Sequence, residues 1–408
     1  MIASSWLAPD SCRDIQDNAV QQACDAGPNW SEYLHLVDRH RTPSTSWAAL
    51  KRNPRVHVPE QAKQELQRRS DLCRWQAMLH LQLLTRILHL LNQSRIPVMP
   101  LKGPLLSFAL YGDVGLRQSK DLDILVPQAE IRRAQECLES VGWRLGAEYF
   151  SLSPRQWEAT FRHEQHVGYV HPQQGCQLEL HWRCSWLQKT EQHWARSRTA
   201  ELAGSFYQAM SPADLAIYLP EHGGKHQWFR AKWLGDLARF HSNSQVDWMD
   251  VLAHARTMGL ERPVLLGLQL VGDCYDVPFP SAPGSLQKRL PDRLASRTVR
   301  ALTGRGEPIA RNAWARFKDT VRAYGYYRML GLSRFWWGLV IHRRLDFRLL
   351  PLPDRFFWLY IPLRPLLWLW RTGIALHDGT KEFCKKIADA LSVWKIKDLA
   401  KKSRDGRL

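Results

Sequence analysis

Asp121 and Asp123 stand one residue apart in the run Asp121-Leu122-Asp123-Ile124-Leu125-Val126. The run alternates polar and apolar at its start, which predicts a strand with both carboxylates on one face. Two carboxylates a few ångströms apart repel each other unless a cation sits between them. Upstream, an apolar strand from Ile96 to Leu101 breaks at Lys102-Gly103. Pro104 then opens a helix that runs to Tyr111, at the position where proline is best tolerated. A glycine turn entering a helix N-terminus offers free N–H groups to phosphate. A loop carrying Arg117 and Lys120 joins that helix to the aspartate strand. Carboxylates suited to a metal, beside a turn suited to phosphate, point to phosphoryl or nucleotidyl transfer with Mg²⁺.

Two later groups of residues extend this chemistry. Val167–Val170 and Cys176–Trp182 read as an antiparallel pair joined by the turn Pro172-Gln173-Gln174-Gly175. In the second strand Glu179 and His181 share one face, while Leu178, Leu180 and Trp182 share the other. His222 and His226 lie four apart, a spacing that can serve a metal. The glycines between them weaken the aligning helix, and no glutamate stands where a zinc protease needs one. Structural or substrate-contacting roles in a helical lobe are the expectation for this pair.

The pattern resembles the polymerase-β-like nucleotidyltransferases. Leu101-Lys102-Gly103, Leu110-Tyr111-Gly112-Asp113, Arg117 and the run from Asp121 look like the bacterial uncharacterised nucleotidyltransferase branch of that superfamily. Leu178-Glu179-Leu180-His181-Trp182, His222-Gly223 with His226, and Trp233-Leu234-Gly235-Asp236 fit as well. The resemblance covers about residues 60–275. It implies an acceptor hydroxyl or phosphate attacking the α-phosphorus of an NTP, with pyrophosphate released. Asp121, Asp123 and Glu179 would be the catalytic and metal-binding carboxylates, holding two Mg²⁺ ions, with Mn²⁺ as the alternative. Glu179 would complete a metal or act as the base. Gly103 would let the backbone approach the phosphates, and Lys102 and Arg117 would neutralise developing charge. Lys225 or Lys232 would contact the triphosphate, with Asp236 orienting one of them and His181, His222 and His226 at the substrate. The family's usual serine after the turn glycine is replaced by Pro104, so Lys102 or Arg117 is left to supply that contact. The acceptor is a small molecule, peptide or carrier. Protein adenylylation and an inactive RNA-binding or scaffold protein are the alternatives.

These residues need elements to hold them. The expected fold is α+β: a small mixed sheet with flanking helices, then a helical lobe and a basic, Trp-rich appendage. Residues 1–60, broken by prolines, read as an irregular lead-in with one helix around 30–40. The catalytic core, 61–186, begins with a helix from Gln61 to Asn92. Its Leu72, Trp75, Leu79, Leu83, Ile87 and Leu90 form a single apolar stripe. A helix with Ile131, Ala134, Leu138 and Val141 closes at Gly142, Trp143–Phe150 reads as a strand, and Ser153-Pro154 starts a short helix. The helical lobe, 187–276, opens at Ser211-Pro212 and is interrupted by Gly223-Gly224. Residues 277–330 are a Pro-rich connection and helix, and 331–408 the basic aromatic appendage.

Composition bounds the partners. The 408 residues carry 57 Lys and Arg against 39 Asp and Glu, a net charge of +18. That excess favours anionic partners: nucleotides, nucleic acid or an acidic membrane surface. The run from 356 to 370 contains Pro362, Arg364 and Pro365 and cannot be an uninterrupted spanning helix. Its Trp and Tyr, with the lysines beyond, suit an interface lying in the membrane plane or a packed helical subdomain. Eight scattered cysteines without a C-x-x-C pair argue against a zinc knuckle and for a reducing cytoplasm. Attachment at the inner membrane through the appendage is the variant of that expectation.

Overall fold

The Asp-Leu-Asp-Ile-Leu run is a strand, β2 (Asp121–Leu125), and the sheet is assembled around it. The computed structural model describes residues 13–149, 152–184, 190–243, 246–275 and 344–372, with Thr298, Val299 and Leu302. The antiparallel neighbour of β2 is the short β1 (Met99–Pro100). Its parallel neighbour is β5 (Cys176–His181), which pairs on its other side with antiparallel β4 (His166–His171). The two-residue β3 (Arg144–Leu145) lies at the edge beyond β4, giving the order β1-β2-β5-β4-β3. Parallel and antiparallel pairs share one small sheet, the mixed α+β architecture the sequence implies. Leu122, Ile124, Leu178 and Leu180 are buried on the face opposite the carboxylates. Of the strand expected over Trp143–Phe150 only Arg144–Leu145 forms, and Phe150 lies outside the described residues. Ladder pairing stops at Leu145, because the backbone folds back and Tyr149 N–H bonds the Gly146 carbonyl at 3.0 Å.

The described residues divide into two units. One holds those up to 144 and from 166 to 302; the other holds 145–165 and 344–372. In the first unit the helix expected around 30–40 is α2 (Trp30–His40), and the segment read as irregular also holds α1 (Arg13–Asp25) and α3 (Pro43–Arg52). Pro28, Pro54 and Pro59 fall outside the helices and Pro43 in a first turn, where a missing N–H costs no intrahelical bond. Val20, Val37, Ala49 and Leu50 form a core with Leu66 of α4 (Glu60–Gln93). The α4 stripe is rotated from the expected one. Ser70, Cys73, Ala77, His80, Leu84 and Leu88 face inward with Leu83 and Ile87, whereas Leu72 and Trp75 are exposed. Small residues on the inward side admit the neighbouring helix closely, which large ones at 72 and 75 would prevent.

The chain continues through α5 (Gly103–Tyr111) and α6 (Ile131–Ser140), which closes near Gly142 at φ +94°. A helix α8 (Thr190–Arg196) and a hairpin, β6 (Arg198–Leu202) with β7 (Ser205–Ala209), lead to the lobe. That lobe comprises α9 (Pro212–Lys225), α10 (Ala231–Asn243), α11 (Trp248–Thr257) and α12 (Glu261–Tyr275). Its core joins Ile217, Leu219, Leu234, Leu237, Leu265 and Leu266 to Leu106 and Leu110 of α5. Ser211 caps α9 by accepting the Asp214 N–H. Gly223 and Gly224 do not interrupt α9. A Cβ at Gly223 would stand 2.4 Å from the Trp228 ring, so glycine here makes room for the tryptophan.

In the second unit, α7 (Pro154–His163) is closed by a reciprocal Ser153–Gln156 cap. It packs with α13 (Arg344–Leu349), a 3₁₀ turn at Asp354–Leu359 and α14 (Tyr360–Thr372). Ala159, Phe347, Leu352, Tyr360 and Leu367 form its core. Arg364, inside the aromatic run, is buried and bonds Asp346 at 2.6 Å. Among the described residues no helix is long and apolar enough to cross a membrane. The prolines of the Pro-rich connection and the lysines beyond the aromatic run lie outside the described residues.

Candidate active site

Strand alternation and register bring the carboxylates together. β2 aims Asp121 and Asp123 to one face, and the parallel register sets Asp123 beside Glu179 and Asp121 beside Gln177. Asp123 is 3 % exposed; Asp121 and Glu179 are half-buried. Lys102 stands just before α5 and holds its Nζ 2.9 Å from Asp123 Oδ1. His181 Nε2 lies 3.3 Å from Asp123 Oδ1 and 3.2 Å from Glu179 Oε2. Gly103 takes φ +76°, a left-handed conformation that carries the chain from β1 into the helix. Pro104 removes one N–H from that first turn.

The charges here are shifted in opposite directions. Burial, then the charge of Asp123, raises the Asp121 carboxyl above its usual value. Burial would raise Asp123 too, but the Lys102 ammonium and the His181 contact hold it well below the carboxylate range. Glu179 is burdened by burial and nevertheless lowered, through its hydrogen bond with His181. For His181 burial pulls downward, yet the bonds to Asp123 and Glu179 carry it above the ordinary imidazole value. Asp121 makes no side-chain hydrogen bond or ion pair among the described residues. Three carboxylates thus face one ammonium and one imidazole.

The lobe contributes a cationic and aromatic side. Tyr218 and His222, one turn apart on α9, stack at 6.0 Å between ring centroids. His226 stacks on Trp233 of α10 at 4.7 Å. Burial and the nearby Lys102 push His222 well down; burial and Lys225 push His226 to about 3, so both rings are neutral near pH 7. Lys232 donates to the Gln118 carbonyl at 3.0 Å, and burial, Arg117 and Arg41 depress its ammonium strongly. Lys225 is exposed at the end of α9. Arg117 turns away from the phosphate role expected of it. Its Nε bonds Asp236 Oδ2 at 2.8 Å, both side chains are buried, and Tyr111 bonds the other oxygen at 3.0 Å. The partner of Asp236 is therefore Arg117, not Lys225 or Lys232.

The sequence reading passed over His166 and Tyr218. His166 lies opposite His181 in the β4–β5 register, a place β4 alternation already indicates. Tyr218 is buried one turn before His222, and its phenol is raised by burial against the opposing Lys102 charge.

Residues 26–276 match the family described as uncharacterised nucleotidyltransferase. The chain belongs to that family. It is a nucleotidyltransferase, and the match begins well before residue 60, taking in α2 and α3. Two solved structures are similar to it. ANT(2″)-Ia in complex with adenylyl-2″-tobramycin shares 13% identity over 44% of this chain and 97% of its own, with a TM-score of 0.32. An antigenic nucleotidyltransferase-like protein from Paracoccidioides brasiliensis shares 14% over 56% and 93%, again at 0.32. No curated protein matches the chain.

Nucleotidyltransferases typically use divalent metals, and the donor set of this one suits them. Asp121, Asp123 and Glu179 offer carboxylate oxygens, the ligands hard cations prefer. Asp121 makes no ion pair among the described residues, and a divalent cation beside it would favour the charged form that burial and Asp123 disfavour.

Proposed function

We propose that this nucleotidyltransferase moves a nucleoside monophosphate from an NTP to a hydroxyl or phosphate of a small-molecule, peptide or carrier acceptor. One observation carries the reading: three carboxylates share one face of two paired strands, and Asp121 makes no ion pair among the described residues. Asp121, Asp123 and Glu179 would hold Mg²⁺. When bound, the ion supplies positive charge to the phosphates and makes the acceptor oxygen more acidic.

The chain's own residues account for the rest. The acceptor oxygen forms a bond to the α-phosphorus while the bond from α-phosphorus to the bridging oxygen breaks, and pyrophosphate leaves. Glu179, lowered and therefore ionised at neutral pH, takes the acceptor proton. Lys102, Lys225 and Lys232 line the phosphate side. Burial disfavours the Lys232 ammonium, and the negative charge of a triphosphate would favour it. Gly103, in a left-handed conformation without a Cβ, would bring backbone close to the phosphates. Arg117 and Asp236 fix the loop before β2 against α10.

The test uses full-length protein, Mg²⁺ and each α-labelled NTP with a panel of hydroxyl and phosphate acceptors. Label should move to an acceptor with one pyrophosphate per transfer, and Asp121→Asn should abolish it. Wild-type turnover by that variant would remove these carboxylates from the reaction.

A further inference from the structure

The carboxylate face continues into a second set of donors. The β4–β5 register places His166 opposite His181 and Gly168 opposite Glu179. Alternation puts all four on one face. One atom each from His166, Glu179 and His181 lies within 4.8 Å of the other two. His181 Nε2 is 3.2 Å from Glu179 Oε2, His166 Nε2 is 3.6 Å from Glu179 Oε1, and the two rings are 4.7 Å apart. Among the described residues no other three His, Cys, Asp or Glu side chains converge this way.

Hydrogen bonding does not account for the arrangement. His181 Nε2 carries at most one proton but faces two carboxylate oxygens, Glu179 Oε2 and Asp123 Oδ1. The 3.6 Å from His166 to Glu179 exceeds hydrogen-bond length. The Nδ1 atoms of both rings are buried without a hydrogen-bond partner, so no neighbour on that side keeps the proton on Nε2. Opposite Glu179, a Cβ on Gly168 would meet nothing within 4 Å, which leaves the face open.

We propose that His166, Glu179 and His181 form a binding site for one divalent transition-metal ion of the Mn²⁺, Co²⁺ or Zn²⁺ type. Two imidazole nitrogens and a carboxylate suit such ions, whereas Mg²⁺ prefers oxygen donors throughout. Asp123 Oδ1, beside His181 Nε2, is within reach as a fourth donor. The face therefore offers an oxygen-rich position at Asp121 and a nitrogen-rich one at the histidines. The site shares Glu179 with the transfer reaction above but stands without it.

The test loads tag-free, full-length protein with Co²⁺ in a large excess of Mg²⁺. One equivalent should remain bound, with visible absorption bands. Mn²⁺-loaded wild-type protein should show nitrogen hyperfine coupling from imidazole, a readout that needs no variant. His166→Gln should weaken Co²⁺ binding by more than about tenfold, the loss that even removal of an outer partner brings. Asp121→Asn should keep it. Absence of nitrogen coupling, displacement of Co²⁺ by Mg²⁺, or wild-type binding by His166→Gln would each overturn the site. Label transfer failing while Co²⁺ binding persists would instead remove the transferase reading alone.

Discussion

Asp236 and Asp123 are both nearly sealed from solvent, at 1 % and 3 % exposed, and both meet a basic side chain at close range. Around Asp236 the account closes: one carboxylate, the Arg117 guanidinium at 2.8 Å and the Tyr111 hydroxyl at 3.0 Å. Around Asp123 it does not. Asp121 and Glu179 add two more carboxylates, and the one ammonium in contact is that of Lys102. Burying a charge costs several kcal/mol unless a partner is provided, so a cluster serving only the fold comes out balanced. The unbalanced one is suited to a cation from outside. The contrast also places Arg117: it is spent inside the protein, on Asp236.

The closed pair gives the largest expected effect. Asp236→Ala leaves the Arg117 guanidinium buried without its carboxylate, at a cost of about 3–5 kcal/mol. Urea unfolding of the variant measures it. A loss under about 1 kcal/mol would mean that water or another group already shares the charge, and the comparison would fail on its closed side.

On the open side, Glu179→Gln keeps the shape and removes the charge. Transfer should slow by about 10²-fold or more while the unfolding midpoint stays near that of the wild type. A variant of normal rate would take Glu179 out of the reaction and leave His181, 3.2 Å away, as the base to examine.

Why the open cluster was legible in the sequence and the closed pair was not follows from how each is encoded. Asp121, Asp123, Glu179 and His181 lie on two short strands, where a period of two fixes the face and parallel pairing supplies the rest. Arg117 and Asp236 are 119 residues apart, on a loop and a helix, and no local pattern announces that pairing. The α4 stripe misled for a related reason. Apolar residues at steps of three and four allow two adjacent faces, and only the helix packed alongside selects the one with Cys73 and Ala77. Prolines at 28, 43 and 54 suggested irregular chain because their helix-breaking effect depends on position, and here they flank helices.

The two sides should also part with pH. Burial, then the His181 charge, lowers His166 to about 4; burial, then Lys225, lowers His226 to about 3. Both folded values lie below the unfolded value of about 6.5. The unfolded chain therefore takes up these protons first, and stability is full above about pH 6.5 and falls as pH drops toward 4 and 3. The loss between pH 6.5 and 4.5 should be about 2 kcal/mol for each ring. His226→Gln should make the urea midpoint fall less steeply over that range. An identical slope would show that the His226 ring is not held neutral by burial.

The smallest effect is the one that most directly asks whether the cluster is unbalanced. Burial and the Asp123 charge raise the Asp121 carboxyl, so its ionised form is disfavoured in the folded state relative to the unfolded one. At pH 7 in a chelator that charge works against folding, and Asp121→Asn should therefore stabilise the metal-free protein. Asp121 is half-buried, and solvent screens part of the repulsion, so the gain should be a few tenths to about 1 kcal/mol. Adding Mg²⁺ should reverse the ranking. The ion binds the folded wild type and raises its melting temperature by mass action, while the variant, lacking a ligand, gains less. The measurement is the pair of melting curves for each protein, with chelator and with Mg²⁺. A variant less stable than the wild type in chelator would mean that Asp121 is already compensated within the fold, and the carboxylate face would then be as closed as the Arg117–Asp236 pair.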